Sequence, residues 1–274
     1  MSGLRLTVSM VLVVLAPTAA LAPGLQEQLE NGIGEFRAGY QAWDAEKLSL
    51  AAATFEKACD ASADAHLAHY WLGVTRFHIL VHRQGDNNLP MDNREFNRLV
   101  RETRKPLKRA VHLCESDSEA HALLGTLAGI EIRRNPSKAF WLGRAVLRHR
   151  RLALEHGKTN PRTQYLLGAA HVQGPGFLGG PEKGLRYLRR ADQLFEASAS
   201  SNKEPAAWAP TWGHEHCLIL IGQTYEHLGD VHKAQEYVLK ALARNPENKL
   251  AQRRLDNLQQ GIDGNEQSMR TKER

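Results

Sequence analysis

A regularly spaced set of residues between positions 215 and 248 constrains the fold of this chain more than any other feature. In order, the set is Leu218, Ile221, Gly222, Tyr225, Ala234, Val238 and Pro246. Spacings of three and four residues put the apolar members on one face of each of two helices, and Gly229-Asp230 breaks the chain between them. One such helix pair cannot bury its own apolar face, so it must stack on further pairs.

Weaker copies of the set recur along the chain and predict the number of pairs. The glycines that correspond to Gly222 are Gly39, Gly73, Gly125 and Gly168. The first two lie 34 residues apart, which is one repeat, whereas the later spacings of 52, 43 and 54 residues predict insertions. We expect five helix pairs, starting near Ile33, His66, Ser118, Pro161 and Glu215. Turn-forming residues place the insertions at Arg83–Asp92, Arg133–Ser137, Gly174–Pro181 and Ala197–Pro210.

The predicted fold class is therefore all-α: an α-solenoid of about five helix pairs with insertions and a C-terminal capping helix. No run of alternating β-branched residues indicates a strand. The capping helix follows Pro246 and is expected to end at Gly261. The expected domains are a signal peptide over 1–22, the solenoid over 23–260 and a disordered polar tail over 261–274.

The set between 215 and 248 resembles the tetratricopeptide repeat, whose pattern is W-x2-L-G-x2-Y, then A-x3-F, then a closing Pro. Leu218 stands where the pattern has Trp, and Val238 where it has Phe. The loop-to-helix join Gly179–Gly184 is similar to joins in exported bacterial tetratricopeptide-repeat proteins, including periplasmic components associated with TRAP-type transporters. This resemblance covers residues 160–248 and implies a protein-binding solenoid.

The first 22 residues read as a secretory signal peptide. Arg5 supplies a positive start, and Leu6–Ala16 is an apolar stretch too short to span a bilayer. We expect cleavage after Ala20, and an uncleaved membrane anchor is the alternative. No cysteine lies near that site, the first being Cys59, so a lipid-anchored N-terminus is not expected. The predicted location is periplasmic or secreted.

The net charge of +6 is unevenly distributed. Residues 133–151 contain seven bases and no acid. Arg144, Arg148 and Arg151 lie opposite an apolar stripe on the same predicted helix, so they should share an exposed face. Such a surface attracts acidic proteins, lipid headgroups or phosphorylated ligands, and the alternative is an ordinary solvated face. Nucleic acid is not expected, because the chain is predicted to be exported and lacks interleaved aromatic residues for base stacking.

No motif in the sequence indicates catalysis. There is no G-x-S-x-G elbow, no P-loop and no dinucleotide fingerprint. His78 and His82 stand four residues apart, and His214–Cys217 groups four potential ligands, but neither arrangement has convincing metal-site spacing. We therefore expect no enzyme activity, no cofactor and no resident metal.

The expected binding surface is the concave groove that stacked first helices create. Arg76, Tyr165 and His171 are the candidates to line or border it. In the Gly174–Pro181 loop, Phe177 and Leu178 are expected either to cover the groove as a lid or to plug the gap between neighbouring units. Trp212, in the loop before the strongest repeat, is expected to wedge between units.

Two functions remain open from the sequence. The first is an exported scaffold that grips a peptide or helix of another protein, with an acidic partner among the expected classes and peripheral contact with the cell envelope. The second is a small-molecule or lipid-binding accessory protein, for example of a solute transport system.

Overall fold

The computed structural model describes residues 23–85, 90–174, 179–200 and 208–272. The described residues form α-helices and one 3-10 turn, with no strand among them. The helices are α1 (Pro23–Ala42), α2 (Ala45–Ala61), α3 (His66–Gln84), α4 (Asn93–Leu113), α5 (Ser118–Arg134), α6 (Ala139–His156), α7 (Pro161–Gln173), α8 (Pro181–Ala199), α9 (His214–His227), α10 (Val231–Arg244) and α11 (Lys249–Lys272). The 3-10 turn, Pro136–Lys138, precedes α6.

Consecutive helices pack as the pairs α1–α2, α3–α4, α5–α6, α7–α8 and α9–α10, and α11 packs on α10. Each first helix also contacts the first helix of the next pair, which stacks the pairs into a solenoid. The predicted all-α solenoid of five pairs with a capping helix is confirmed.

Two helix ends differ from the predictions. The first helix begins at Pro23, ten residues before Ile33, because Leu25 and Leu29 continue its apolar stripe and are buried. The last helix runs through Gly261, where we expected it to end, and reaches Lys272. A single glycine lowers helix stability by only about 1 kcal/mol, which surrounding helix-forming residues can offset. The predicted domain boundaries remain predictions.

Short polar side chains start many of the helices. Asp44, Asp92, Asp117, Asn160 and Asp230 each accept a hydrogen bond from a backbone N–H of the helix they precede. These N-caps satisfy amide groups that have no partner inside the helix. Local sequence therefore defines where these five helices begin, before any packing is considered.

Glycine allows close contact between the two helices of four pairs. A Cβ atom on Gly222 would lie 2.9 Å from the Ala234 carbonyl oxygen, as expected for a close crossing of α9 and α10. Three other glycines are equally close to a leucine of the second helix, where an added Cβ would lie under 3.0 Å from it. The pairs are Gly39 with Leu48, Gly73 with Leu107, and Gly168 with Leu188. Gly125 differs, because its nearest neighbour would be the His149 Cβ at 3.5 Å, an ordinary contact.

The three cysteines, Cys59, Cys114 and Cys217, are free thiols in this fold. Burial raises the pKa of the Cys59 thiol to about 12, and burial also raises the pKa of Cys217. In the described part of the chain, no helix is both long enough and apolar enough to cross a membrane.

Candidate functional site

The segment Trp208–Gly213, which enters α9, lies against the first helices of the pairs. We call the side formed by these first helices, α1, α3, α5 and α7, the inner face. The Trp71 indole donates to the Trp208 carbonyl oxygen at 3.3 Å, and the Trp212 indole donates to the Tyr70 hydroxyl at 3.2 Å. The Trp212 side chain is only 1% exposed, so this part of the inner face is filled by the chain itself.

The Trp212 ring contacts two different helix pairs. It lies edge-on to His78 of α3, with ring centroids 5.2 Å apart, and to Tyr165 of α7, with centroids 6.5 Å apart. The expectation that Trp212 wedges between units is confirmed. A buried indole of this size contributes strongly to packing, so the segment behaves as part of the core.

Contacts across this segment also join the first pair to the last. The Gly213 amide donates to the Tyr40 hydroxyl at 2.9 Å, and that hydroxyl also hydrogen-bonds to His216 Nδ1 of α9. The Asn245 side chain donates to the Gln41 carbonyl oxygen at 3.2 Å. Burial raises the pKa of Tyr40 well above its usual value, so the hydroxyl keeps its proton and can donate it.

A buried carboxylate connects three helix pairs beneath Trp212. Glu119 of α5 accepts from the Arg162 guanidinium and from the Asn160 amide, each at 2.8 Å, and from the Tyr70 hydroxyl. Burial, followed by the charge of Glu119, raises the pKa of Tyr70. Because these groups satisfy one another, the network is structural and leaves no charged group free for a ligand.

Two buried histidines lie beside the same segment. Burial lowers the pKa of His216 to about 4 and lowers that of His78 well below its usual value. Within the described residues, neither ring nitrogen of His78 has a hydrogen-bond partner, and neither has Nε2 of His216. Both imidazoles are therefore neutral near pH 7. The adjoining cavity, bordered by Tyr40 and Trp212, has a volume of only about 140 Å³.

A larger cavity of about 430 Å³ opens where α3 and α5 end. Its lining combines three arginines with four uncharged residues: Arg83, Gln84, Pro90, Met91, Ile130, Arg133 and Arg134. This volume falls within the range of pockets that hold small ligands or side chains. We call it the arginine-bordered cavity.

The arginines of this cavity differ in their partners. Arg83 pairs with both oxygens of Glu95, at 2.9 and 3.1 Å, which offsets its charge. Arg134 is held by the Met91 carbonyl oxygen at 2.8 Å and by the Asn93 side chain at 3.0 Å. Arg133 donates to the Gln173 carbonyl oxygen, at 3.5 Å. Neither Arg133 nor Arg134 has a carboxylate of the described residues within ion-pair distance, so the cavity carries positive charge that can attract an anion.

Two narrow crevices continue from the cavity along α5 towards α7. They share Thr126 and Gly129 of α5 and Ala170 and Gly174 at the α7 side. A Cβ atom on Gly129 would meet no atom within 4 Å, so the space above it is open. The small residues leave a shallow channel, and its two crevices have volumes of only about 20 and 30 Å³.

The predicted groove residues lie in three different settings. Tyr165 is on the inner face, where Trp212 covers it. Arg76 of α3 forms ion pairs with Glu56 of α2 and Glu102 of α4, on the side of the second helices. Their roles in partner binding stay predictions.

The third groove candidate, His171, is buried in α7. Its ring stacks on Tyr187 of α8 with centroids 5.2 Å apart, and it contacts Arg150 of α6. An added Cβ on Gly179 would overlap the His171 ring, which explains why glycine stands where the loop returns to α8. The proposed lid residues Phe177 and Leu178 lie outside the described residues.

Arg144, Arg148 and Arg151 are all exposed on α6, as the sequence indicated. No carboxylate of the described residues lies within ion-pair distance of any of the three.

The histidines considered as metal ligands separate in the fold. His82 Nε2 lies 3.1 Å from the Trp43 carbonyl oxygen, whereas His78 faces the aromatic rings of the inner face. His214 lies near two carboxylates instead: its Nε2 is 2.8 Å from Asp192 and 3.5 Å from Glu196. Arg244 also pairs with Glu196, at 3.4 Å, so that carboxylate already has a cationic partner. The expectation of no resident metal stays a prediction.

Sequence reasoning missed the arginine-bordered cavity. Arg133 and Arg134 were visible only as members of a basic stretch and of a predicted insertion. The cavity depends on Arg83, which lies 50 residues earlier and approaches them only through helix stacking.

Comparisons with known proteins agree with this geometry. Residues 215–248 match the family model described as tetratricopeptide repeat. A tetratricopeptide-repeat protein of Thermus thermophilus is 15% identical, with a TM-score of 0.60 over 85% of this chain and 98% of that one. The chain folds as a tetratricopeptide-repeat solenoid.

A second structure with the same fold is HusA, a haemophore from Porphyromonas gingivalis. It is 20% identical, with a TM-score of 0.59 over 76% of this chain and 96% of that one. Identities this low establish likeness of fold alone. None of the curated proteins matches the sequence.

Proposed function

We propose that this tetratricopeptide-repeat solenoid is an exported, non-catalytic scaffold that holds an acidic segment of another protein in the arginine-bordered cavity. One observation carries the proposal: Trp212 fills part of the inner face, while an open cavity with uncompensated positive charge remains at the ends of α3 and α5. The cell envelope as the place of action follows from the predicted signal peptide and stays a prediction.

The cavity suits a carboxylate attached to a main chain. Arg133 and Arg134 provide planar donors without acidic partners among the described residues, and a guanidinium binds a carboxylate with two parallel hydrogen bonds. The narrow channel over Gly129 continues from the cavity, so chain on one side of an acidic residue can run towards α7. Arg134 is also braced on the Phe96 ring, with 4.7 Å between guanidinium carbon and ring centroid.

Filling the channel provides the test. Gly129→Leu should fold normally, because the position has open space, and should weaken binding of a partner captured from an envelope extract by at least tenfold. Gly34→Leu is the matched control, since Gly34 is an exposed helical glycine of α1 that also has open space. Equal affinity of wild type and Gly129→Leu, measured by calorimetry, would contradict the proposal.

The positive charge of the arginine-bordered cavity is tested separately. Arg133→Gln with Arg134→Gln should reduce affinity and also flatten its dependence on ionic strength, since the removed contacts are electrostatic. A loss of affinity with an unchanged salt dependence would argue that shape alone selects the partner.

A small-molecule accessory role is the second candidate. The volume of about 430 Å³ is sufficient for a small anionic molecule, and the shared fold with a haemophore supports such a use of the architecture. Binding of a small carboxylate that Gly129→Leu leaves unchanged, together with no protein partner, would favour this alternative.

A further inference from the structure

The outer face of α6 carries large apolar side chains where a second helix normally meets water. Phe140 is 89% exposed, Trp141 61% and Leu147 58%. Only three other large apolar side chains in the described residues are comparably exposed, and each lies on a different helix or helix end: Leu50, Leu228 and Leu239. Three large apolar groups on one helix form an exposed patch that needs a physical explanation.

The three arginines of α6 lie on the same face. With 3.6 residues per turn, Phe140, Trp141, Arg144, Leu147, Arg148 and Arg151 all fall within an arc of about 120°. The buried side of the helix, with Val146 and Ala153, points the other way into the solenoid. The first acid on the outer face is Glu155, one turn beyond Arg151.

The order of side chains on this face favours a lipid surface over a protein. Protein interfaces also combine aromatic residues with Arg, but they have an apolar core from which charges are depleted, with charges at the rim. Here Arg144 lies between Phe140 and Leu147 along one line of the helix. At a membrane interface this mixture is favourable, because aromatic and aliphatic groups enter the acyl boundary while long arginine side chains extend to phosphates.

We propose that the outer face of α6 docks the solenoid on an anionic phospholipid surface. Phe140, Trp141 and Leu147 insert below the headgroups, and Arg144, Arg148 and Arg151 bind lipid phosphates. Neither the apolar groups nor the three charges alone provide stable attachment, whereas the two together do. The arginine-bordered cavity stays free to bind its partner, since it is lined by residues outside α6.

Vesicle co-sedimentation of the full chain tests the proposal. Binding is expected to vesicles of phosphatidylcholine with about one third phosphatidylglycerol, and to be at least tenfold weaker with phosphatidylcholine alone. Two variants should each lose at least tenfold: Phe140→Ser with Trp141→Ser, and Arg144→Gln with Arg148→Gln and Arg151→Gln. Leu50→Ser and Leu239→Ser, at exposed leucines of α2 and α10, are the matched controls and should bind like wild type.

Fluorescence gives a readout that a general loss of fold would not imitate. Trp141 is the exposed tryptophan of the described residues, whereas Trp71 and Trp212 are buried and Trp43 and Trp208 partly buried. Lipids with a quencher at the acyl boundary should reduce wild-type emission, and Trp141→Phe should keep binding but lose most of that quenching.

Three results would overturn the proposal. The first is that the wild-type protein does not bind anionic vesicles at low ionic strength. The second is that the variant Phe140→Ser with Trp141→Ser binds vesicles as well as wild type does. The third is that the arginine face binds polyglutamate while the protein binds no vesicles. The Gly129→Leu variant separates this proposal from the function proposed above. It should bind vesicles like wild type even where it fails to bind a protein partner.

Discussion

The pairs α5–α6 and α9–α10 have the same helical architecture but differ in how their residues are used. In α9–α10, Gly222 lies against the Ala234 carbonyl oxygen, and outward charges are paired, as in Lys240 with Glu236 at 2.6 Å. In α5–α6, Gly125 makes only ordinary contacts, and the arginines on the outer face of α6 have no acidic partner among the described residues. The repeat that matches the tetratricopeptide-repeat model is dominated by packing, whereas the irregular repeat exposes apolar and charged side chains.

This comparison explains why the pair with the strongest repeat motif is not the pair that carries the candidate binding groups. Residues 215–248 match the repeat model because their small and apolar positions meet the geometric demands of a close helix crossing. The looser contact at Gly125 relaxes those demands in α5–α6. That pair contributes Arg133 and Arg134 to the cavity and Phe140 and Trp141 to the outer face.

The largest expected difference between the two pairs concerns their glycines. Gly222→Leu should lower the free energy of unfolding by about 2 kcal/mol or more, because a side chain there overpacks against a backbone carbonyl. Gly125→Ala should instead raise it by about 0.5–1 kcal/mol, since the site has room and alanine is the better helix former. Urea denaturation measures both, and equal effects would mean that the two crossings are equally close.

The next effect is a pH dependence to which each pair contributes one histidine. Burial, followed by His121, lowers the pKa of His149 to about 4, and burial lowers that of His216 to about 4. An unfolded histidine binds a proton near pH 6.5. Stability from these groups is therefore present above about pH 6.5 and is lost as pH falls towards 4, by up to about 1.4 kcal/mol per pH unit for the buried His216 and by less for the half-buried His149, whose charge water screens.

His149→Gln should make the free energy of unfolding fall less steeply below about pH 6.5, because one of the two histidines is removed. His149 Nδ1 lies 2.9 Å from His121 Nδ1, so one neutral ring donates to the other, and protonation of both would place two donors face to face. His232→Gln, at an exposed position of α10, is the control and should leave the slope unchanged. Unfolding curves between pH 4.5 and 7.5 would contradict the assignment if the His149 variant kept the wild-type slope.

The smallest expected effect on stability is at the exposed arginines of α6. Changing Arg144, Arg148 and Arg151 together to Glu should leave helix content intact and alter the free energy of unfolding by no more than about 0.5 kcal/mol per site. The three side chains are exposed and unpaired with acids of the described residues, so no ion pair is lost. Circular dichroism and urea denaturation check this, and a large loss of stability would show that these side chains pack in the fold.

The predicted export of the protein needs a separate test, because it does not depend on either helix pair. The mature protein from its native host should begin at Leu21 or Pro23 when its N-terminus is sequenced. A chain that begins at Met1 or Ser2 and stays in the cytosol would contradict the predicted signal peptide.

Much of the architecture could be predicted from the sequence because it depends on local patterns. Helix starts at Ser118 and Pro161 agree with the structure, since caps and prolines act within one turn of their own position. The start at His66 also agrees, although no side chain caps that helix. The early start at Pro23 was missed because the apolar stripe of α1 lacks the tight repeat pattern seen later. The exposure of Arg144, Arg148 and Arg151 followed from helical periodicity alone.

The candidate sites could be predicted only in part. Tyr165 does lie on the inner face, but its neighbour there is Trp212, 47 residues later in the chain. His171 is buried in contact with Tyr187, and Arg76 pairs with acids of two second helices, although periodicity alone suggested that they face a groove. Periodicity assigns a residue to a helix face but does not say what covers that face.

The sequence by itself determined the helix pairs, their order and the exposed basic face of α6, because each depends on residues within about one repeat of one another. Only the tertiary structure decided that Trp212 reaches Tyr70, 142 residues away, and that Gly213 reaches Tyr40, 173 residues away. It also decided that Arg83, Arg133 and Arg134 border one cavity. Such contacts depend on the small rotation between successive pairs, which accumulates along the solenoid and is not encoded in any single repeat.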